Sequence, residues 1–352
     1  MLVRFCISLL LVLLLAIGLL RWVPAPVPPA QAAPTAPPVT TLLAVGDILL
    51  GRQLGEEMAR TGDYSLAFRD VRGTLAAADI TFGNLEGPFC ETPPYPASGM
   101  IFRFRPEAVE SLTRAGFDVV SVANNHFGDG GDACMQFSLA HLRKAGVQPV
   151  GAGLTFDEAH GGAMVERNCI CFAFLAYTYA ARNDAPQAAA PVVTGRDPEQ
   201  VRRDVAAARQ RADVVIVSLH DGAEYTARVA KETEEFARAA IDAGAAAVLG
   251  HHPHVPQRIE QYGDGWIFYS LGNFVFQQNT PPETRTALIA RLTFSGGALE
   301  RVEVVPAIIE WFAQPRLASD EEGQRILATV GLKQTLLWST AAPQAPAAAS
   351  PR

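Results

Sequence analysis

Five apolar runs in this chain end in residues that can bind a metal ion, and this repeated pattern limits the possible fold more than any other feature. The runs are rich in Val, Ile and Leu, as expected of buried strands in an α/β protein. Ligand sites in such proteins collect just beyond the carboxyl ends of the strands. We therefore expect the polar ends to converge along one edge of a sheet. The runs occupy residues 42–47, 80–86, 119–126, 214–220 and 249–255.

The last run carries three of the seven histidines of the chain, within residues 251–254. Neutral imidazole is a common metal ligand, and two histidines separated by one residue on a turn can point into the same space. Taken alone, such a cluster fits a solvated loop about as well as a metal site, and the other four runs favour the metal site. Oxygen and nitrogen ligands without cysteine suit Mn, Fe, Zn or Mg. The candidates are Asp47, Glu86, Asn125, His126, His220, His252 and His254.

Six short motifs in this order resemble those of the CapA family of poly-γ-glutamate capsule biosynthesis proteins. They are Val-Gly-Asp, Gly-Asn-Leu-Glu, Ala-Asn-Asn-His-Phe-Gly-Asp-Gly-Gly, Ser-Leu-His-Asp-Gly-Ala-Glu-Tyr, Gly-His-His-Pro-His-Val-Pro-Gln and Tyr-Ser-Leu-Gly-Asn-Phe-Val-Phe. The resemblance covers residues 41–310. Because that family is similar to the calcineurin-like metallophosphoesterases, the resemblance implies an α/β sandwich of two mixed β-sheets flanked by helices, with a two-metal site at the strand ends.

The resemblance also implies which residues would hold two divalent metal ions, whose identity among Mn, Fe, Zn and Mg stays open. Asp47 and His254 would bind one metal, and Glu86 would bridge the two. His126 would stand over the substrate and protonate a leaving oxygen or steady the transferred group. The ligands of the other metal would be Asn125, His220 and His252.

The chain departs from the related metallophosphoesterases at two positions. Those enzymes open with Asp-x-His, but here Leu49 stands where the histidine would be, so one metal lacks a ligand. The CapA family shares this vacancy. Asp221 stands where the family usually carries tryptophan after the histidine. This change either removes an aromatic wall or adds a carboxylate near His220, and the sequence leaves both effects open.

Five further residues near the motifs have a functional or a structural interpretation. Asn84 and Asn273 are expected to support the ligands, with Asn273 in a tight turn. Glu224 and Tyr225 fit substrate contacts as well as they fit a helix-start carboxylate and a packed aromatic ring. Asn124 is expected to form a turn, for which asparagine is well suited.

The start of the chain has the profile of a signal segment or a membrane anchor. Residues 5–20 are almost entirely apolar and are flanked by Arg4 and Arg21, as in segments that enter a membrane. We predict an uncleaved, single-pass anchor at residues 1–23 that places the main domain outside the cytoplasm, in the periplasm or at the cell surface. Secretion after signal cleavage is the alternative.

Proline and alanine dominate residues 24–39, which predicts an extended, semi-rigid linker. The same bias near the C-terminus predicts a disordered tail at residues 336–352. Residues 40–335 are enough for one large core and are predicted to form the CapA-like metallophosphoesterase domain. The net charge of −7 argues against a nucleic-acid partner, which calls for a basic patch.

Four cysteines follow the N-terminal segment, and an even number suggests disulfides in an oxidising compartment. Cys90 and Cys134 follow two of the motif strands, so a bridge between them could brace the loops around the site. Cys169 and Cys171 alternate on one predicted strand and point to the same face. Buried free thiols are an equally good interpretation.

Helical segments alternate with the predicted strands, which indicates an α/β fold. Helices are predicted within residues 105–116, 197–210 and 227–244, each followed by a strand. Later in the chain, residues 287–294 and 299–305 predict a hairpin.

Together these features favour an exported, membrane-anchored, metal-dependent hydrolase of the phosphoesterase type. Two metals about 3.5 to 4 Å apart can neutralise the charge of a phosphoryl group. The resemblance implies a role in capsule or envelope polymer biosynthesis, with a phosphoester or an envelope polymer as substrate and membrane subunits of a polymer synthase as partners. The alternative is a non-catalytic factor that binds polymer or partner proteins in a capsule synthesis complex.

Overall fold

A computed structural model describes residues 37–310 and 313–339 of the 352-residue chain, apart from residue 189. The predicted anchor at residues 1–23 and most of the predicted linker at 24–39 lie outside the described residues. Within the described part, no helix has the length and apolar character needed to cross a membrane.

The strands alternate with helices through the first two thirds of the fold and then follow one another directly. In chain order they are β1 Val39–Ile48, β2 Ile80–Leu85, β3 Val119–Ser121, β4 Gln148–Val150, β5 Ala152–Gly153, β6 Ala163–Arg167, β7 Ile170–Thr178, β8 Val192–Val193, β9 Val214–His220, β10 Ala247–His251, β11 Ile259–Tyr262, β12 Gly265–Phe268, β13 Asn273–Val275, β14 Thr286–Ser295, β15 Ala298–Ile309, β16 Pro315–Leu317 and β17 Leu336–Ser339.

Some of the helices begin or end at residues that favour a helix terminus. The Asp197 side chain caps one helix by accepting a hydrogen bond from the Glu199 N–H, and Gly116 ends another with a φ of 86°, a conformation open to glycine. The α-helices are α1 Arg52–Thr61, α2 Arg72–Leu75, α3 Val109–Ala115, α4 Gly131–Lys144, α5 Phe156–His160, α6 Pro198–Arg209, α7 Lys231–Asp242 and α8 Asp320–Thr329. Short 3₁₀ helices cover Leu66–Phe68, Pro106–Ala108 and Pro282–Arg285.

Two mixed sheets form the body of the fold. The larger has the order β16-β15-β14-β1-β2-β3-β4, with β13 also paired to β1 and β17 to β15. Its strands β1 to β4 are parallel, and β14 to β16 are antiparallel. The smaller has the order β11-β12-β10-β9-β7-β6, with a parallel centre and antiparallel edges. The predicted pair of mixed sheets is therefore confirmed, and a separate two-stranded ladder joins β5 and β8.

The two sheets pack face to face through aromatic side chains. The rings of Phe82 and Phe174 stack with centroids 5.7 Å apart, and those of Phe172 and Phe294 meet edge to face at 5.3 Å. Each fully buried phenylalanine contributes about 2 to 3 kcal/mol of hydrophobic stabilisation. A second apolar core lies between the smaller sheet and helices α6 and α7. This layering brings the ends of β1, β2, β9 and β10 together.

Most predicted elements are confirmed, and three boundaries differ. The helix expected at 227–244 begins only at Lys231, because the backbone of Ala230 before it is extended, with φ −72° and ψ 150°. Residues 336–339, expected in the disordered tail, form β17 and pair with β15. Cys169 has a φ of 61° and lies in the turn before β7, so it does not alternate on that strand with Cys171.

Candidate metal centre

Asp47 lies near the end of β1, between two neighbouring parallel strands. It is the register partner of Asn84 on one side and of Asn273 on the other. The backbones approach so closely here that a Cβ on Gly46 would lie 1.9 Å from the Gly272 carbonyl oxygen. Only glycine fits at such a position. Asp47 is thereby held, fully buried, at the carboxyl edge of the larger sheet.

Glu86 follows β2 directly and is fully buried. Neither of its carboxylate oxygens has a hydrogen-bond partner among the described residues. Burial raises the pKa of Glu86 well above its usual range, and the Asp47 carboxylate adds to this shift. Because a buried polar group without a partner is unfavourable, the position suits a carboxylate that receives a cation.

His254 faces Glu86 across the site. The Asn273 amide group donates to the Thr284 carbonyl at 3.0 Å, so its Oδ1 accepts from Nδ1 of His254 at 2.8 Å. This leaves Nε2 of His254 3.9 Å from Oε1 of Glu86. Such a hydrogen bond fixes the tautomer and orientation of a metal-binding imidazole. Asn273, for which the sequence predicts a supporting role, thus orients the His254 ring.

His252 contributes both its backbone and its ring. Its N–H donates to Oδ2 of Asp47 at 3.2 Å, while the buried Nδ1 of its ring lacks a partner among the described residues. Burial lowers the pKa of His252, and His254 adds to the effect, which favours the neutral form that binds metals. The φ of His252 is 95°, a strained value for this residue type that is typical of functional positions.

His220 ends β9 and joins two asparagines to the site. Nδ2 of Asn84 donates to Oδ1 of Asp47 at 2.8 Å and lies 3.1 Å from Nδ1 of His220. On the other side of the ring, Nε2 of His220 lies 2.8 Å from Oδ1 of Asn125. Burial lowers the pKa of His220 well below its usual range, and His252 adds to this shift. His220 and Asn125 therefore present a nitrogen and an oxygen close to each other, as two ligands of one metal must.

His126 stands beside the ligands with its ring fixed from two sides. Its Nδ1 lies 2.8 Å from Oδ2 of Asp129, and its ring stacks on Phe102 with centroids 3.8 Å apart. Its Nε2 lies 4.0 Å from Oε1 of Glu86. An oriented histidine at the edge of the site fits the general acid that the resemblance implies.

The candidate ligands occupy one space in two groups. Within each group, one ligand atom per residue lies within 4.8 Å of the others. The first group is Asp47, Glu86 and His220, and the second is Glu224, His252 and His254. These groups differ from the ligand sets that the resemblance implies. Those sets place His254 with Asp47 on one metal and His252 with His220 on the other. Carboxylate oxygens and neutral imidazoles, several of them buried without partners, fit a divalent metal ion.

His251 was not predicted from the sequence, although it lies in the same histidine run. It is fully buried, and its Nδ1 lies 3.5 Å from Oδ1 of Asp47. Burial alone would raise the pKa of Asp47, but the contacts with His251 and His220 lower it below its usual range. The contact with His251 therefore favours the charged form of Asp47.

Asn124 and Asp129 also have roles that the sequence does not reveal. The expected turn at Asn124 is only part of its role, because its buried amide donates to Oδ1 of Asn84 at 3.1 Å and accepts from the His126 N–H at 3.2 Å. Asp129, three residues after His126, orients the histidine ring and also accepts from the Phe102 N–H at 2.7 Å. Only their proximity to the motif histidine could have indicated them.

Arg52 brings a positive charge to the same region. Its guanidinium group lies 4.6 Å from the centroid of Phe102 and donates to the Gly99 carbonyl at 2.7 and 3.0 Å. The Arg52 charge partly offsets the upward shift in the pKa of Glu86. The sequence contains no pattern from which this placement could be inferred.

Glu224 and Tyr225 lie in the loop between β9 and α7, so the helix-start interpretation is wrong. The Tyr225 ring stacks on that of His254, with centroids 5.9 Å apart, and Tyr225 is 43% exposed. Tyr225 also lines a cavity of about 470 Å³. Its apolar wall includes Val255, Pro256, Pro281, Ile308 and Ile326.

Asp221 is buried and paired within the protein. Its carboxylate accepts from Nη1 of Arg196 at 2.6 Å and from Oγ1 of Thr233 at 2.5 Å. The carboxylate that Asp221 adds near His220 is thus neutralised by Arg196. It belongs to neither candidate ligand group.

A disulfide joins Cys90 to Cys134. It connects the segment that follows Glu86 to helix α4, which follows the His126 loop, so it braces the site from outside. Nε of Arg103 donates to Sγ of Cys90 at 3.1 Å. Among the described residues, Cys169 and Cys171 are free thiols.

Comparison with known proteins places these motifs in one family. The sequence profile of the bacterial capsule synthesis proteins (PGA_cap) matches residues 41–278. The capsule biosynthesis protein CapA of Bacillus anthracis is 32% identical over 317 residues, or 85% of this chain and 75% of that protein. The PGA biosynthesis protein CapA of Bacillus subtilis (strain 168) is 33% identical over 266 residues, or 74% of this chain and 70% of that protein.

Similarity to solved structures is weaker. The NAD nucleotidase of Haemophilus influenzae aligns with a TM-score of 0.42 and 8% identity, over 83% of this chain and 62% of that one. A similarity of this size does not establish a shared fold. The sequence match, by contrast, spans the candidate ligands from Asp47 to His254. The chain therefore belongs to the family of bacterial capsule synthesis proteins that includes CapA.

Proposed function

We propose that this protein is a metal-dependent hydrolase of the phosphoesterase type. The observation that carries the proposal is the buried carboxylate of Glu86, which has no hydrogen-bond partner among the described residues. Nε2 of His254 lies 3.9 Å and Nε2 of His126 4.0 Å from its Oε1. A divalent cation between such groups would remove the unfavourable burial of the charge.

The side chains divide into ligands, groups that orient them, and a proton donor. When bound, divalent metals would act as Lewis acids toward water and a substrate oxygen. Asn84 and Asn273 hold the ligands His220 and His254 in fixed orientations. The proposed ligands are Asp47, Glu86, Asn125, His220, His252 and His254.

His126 is the proposed proton donor. Asp129 occupies its Nδ1 and directs Nε2 toward the site. From this position Nε2 can protonate a leaving oxygen or steady the transferred group, a contribution typically worth about 10²- to 10⁴-fold in rate. The apolar cavity that Tyr225 lines would hold the part of the substrate beyond the reacting group.

The proposed setting is the synthesis of a capsule or envelope polymer. The names of the Bacillus relatives, a capsule biosynthesis protein and a PGA biosynthesis protein, support poly-γ-glutamate as the polymer. The substrate would be a phosphoester or a bond of the polymer itself, and the partners would be membrane subunits of the polymer synthase.

We also propose that residues 1–23 anchor the protein in the membrane with its folded domain outside the cytoplasm. The Cys90–Cys134 disulfide supports this location, because disulfides persist in oxidising compartments. Cell fractionation followed by protease treatment of intact cells or spheroplasts tests it. A domain that is protected from protease and reduced at both cysteines would contradict it.

The hydrolase proposal is tested with the full-length protein purified in detergent. Metal content and turnover of p-nitrophenyl phosphate and bis-p-nitrophenyl phosphate are measured for the native chain and for His252→Ala. We expect about two metals per chain and a loss of turnover of at least about 100-fold in the variant. No turnover after reconstitution with Mn, Fe, Zn and Mg would refute hydrolysis of these phosphoesters.

One observation favours a second candidate function. Leu49 occupies the position of a histidine ligand in metallophosphoesterases, so the site could have lost catalysis and serve polymer binding or assembly. In that case the native chain and the His252→Ala variant would bind poly-γ-glutamate with the same affinity. A dependence of polymer binding on the metal ligands would instead favour the hydrolase.

A further inference from the structure

One of the two proposed metal positions has too few protein ligands. Leu49 is buried in the core, 1% exposed, and its N–H donates to the Val275 carbonyl at 2.7 Å. An apolar side chain cannot bind a metal ion. The metal at Asp47 and His254 is therefore left with those two residues and the bridging Glu86, where divalent cations bind four to six ligands.

Glu224 lies where a further ligand is required. One carboxylate oxygen of Glu224 and one ring nitrogen of each of His252 and His254 all lie within 4.8 Å of one another. The His252 ring is buried, and its Nδ1 has no partner among the described residues. His252 and His254 are proposed ligands on independent grounds, so the Glu224 carboxylate beside them lies within reach of the metal assigned to Asp47 and His254.

The backbone around Glu224 is built to hold it there. The loop after β9 is joined to the histidine loop after β10 by two hydrogen bonds, from the Asp221 N–H to the His251 carbonyl at 3.1 Å and from the Tyr225 N–H to the Pro253 carbonyl at 2.9 Å. Tyr225 has a φ of 61°, which is rare for a residue of its type. These hydrogen bonds join the two loops on either side of Glu224 and place it beside the histidines.

We propose that Glu224 is a metal ligand that takes the place of the histidine missing at position 49. This inference rests on the proposed two-metal site and specifies its composition. A carboxylate would then stand in place of a neutral imidazole, so the site holds three carboxylates, from Asp47, Glu86 and Glu224. Hard oxygen ligands shift preference toward Mn²⁺ and Mg²⁺, and the added negative charge leaves two divalent ions with a net charge of about +1.

A substrate contact is the main competing role for Glu224. Glu224 adds a third carboxylate to a site that already holds the buried carboxylates of Asp47 and Glu86. A carboxylate there would repel a phosphoryl group or a polyglutamate chain unless a cation lay between them. Direct binding of an anionic substrate is therefore the less favourable role, and a metal ligand is the more favourable one.

The test uses the full-length protein, stripped with a chelator and reloaded with Mn²⁺. Bound Mn per chain is measured by elemental analysis, and the environment of each ion by electron paramagnetic resonance. For Glu224→Gln, which keeps the size but removes the charge, we expect one tightly bound Mn instead of two. The exchange-coupled signal of a metal pair would give way to the six-line signal of an isolated ion, with the second Mn binding about 100-fold more weakly.

Glu283→Gln is the matched control, because Glu283 lines the cavity beside Tyr225 and belongs to neither candidate ligand group. It should keep two coupled Mn ions, and unfolding curves of both variants should match the native chain. Glu224→Asp should bind the second ion with intermediate affinity.

The outcomes separate this inference from the hydrolase proposal. Two Mn ions of unchanged affinity in Glu224→Gln, with only KM raised, would overturn the ligand role and leave hydrolysis intact. A native chain that binds no coupled pair would also overturn it. If Glu224→Gln loses one ion while the native chain hydrolyses neither nitrophenyl ester, the ligand role stands and the hydrolase proposal fails.

Discussion

Oδ2 of Asp129 lies 2.8 Å from Nδ1 of His126, so a carboxylate outside the ligand set determines which ring nitrogen faces the site. The same oxygen accepts the Phe102 N–H at 2.7 Å, and Phe102 stacks on the histidine. Asp129 therefore fixes both the ring and the aromatic surface behind it.

Asp129→Asn should lower kcat by about 10- to 100-fold, because an amide can donate to Nδ1 of His126 as well as accept from it, so the orientation and tautomer of the ring are no longer fixed. Metal content should stay at the native value, since no proposed ligand is changed. Steady-state kinetics with elemental analysis checks both expectations. A variant that loses metal along with activity would show that Asp129 acts on the ligands instead.

Asn273→Ala should weaken metal binding by about 10- to 100-fold, the usual effect of removing the partner that orients a histidine ligand. The cause is the loss of the 2.8 Å hydrogen bond to Nδ1 of His254, which leaves the ring free to rotate or change tautomer. Titration with Mn²⁺ measures the effect. Gln277→Ala, which removes side-chain hydrogen bonds to Gln53 and none to a proposed ligand, should leave the affinity unchanged. Equal affinities in all three proteins would refute the assigned role.

Replacing Cys90 and Cys134 together with alanine should reduce the free energy of unfolding by about 4 kcal/mol, because the bond closes a loop between residues 44 apart in sequence. Urea unfolding of the native and double-variant chains measures the difference. Reduction of the native chain should reproduce it. Activity at low temperature should survive, since neither sulfur is a proposed ligand.

A buried histidine outside the metal centre should make stability depend on pH. His160 lies 2.8 Å from Oδ1 of Asp184 and 2.7 Å from Oδ2 of Asp204, and Asp204 also accepts from the Tyr177 hydroxyl at 2.7 Å. Burial alone would lower the pKa of His160, but the two carboxylates outweigh it and raise this pKa to about 9.

Since the pKa of His160 is higher in the folded chain than in the unfolded chain, its contribution is complete below about pH 6.5 and is lost as the pH rises toward 9. We expect a loss on the order of 2 kcal/mol across this interval. His160→Gln should flatten that part of the stability profile in urea unfolding at several pH values. A native chain with equal stability at pH 6.5 and 9 would contradict the expectation.

The strands and the edge on which the ligands lie could be predicted because each depends on a local pattern. Asp47 and His220 lie within the strands that their apolar runs form, and Glu86 follows its strand directly. The hairpin expected at residues 287–294 and 299–305 is also present. A buried strand needs a continuous apolar sequence, so composition within a few residues is enough to identify it.

The supporting residues could not be predicted because their roles depend on distant contacts. Whether Glu224 starts a helix or faces the histidines depends on hydrogen bonds between two loops. Asp221 pairs with Arg196, and His160 pairs with Asp184. In both pairs the two residues lie in segments that come together only after the sheets have formed. No local spacing encodes such pairs.

The contact between Asp47 and the loop after β10 has a consequence for the order in which the protein matures. The Asp47 carboxylate and the His252 N–H that binds it are 205 residues apart, so a chain emerging from the ribosome or from a translocation channel exposes its first ligand long before its last. The complete set of proposed ligands exists only once the C-terminal half has arrived. For the proposed metal centre, the ion supply of the compartment in which that half folds would then decide which metal is bound, as much as the affinities of the ligands.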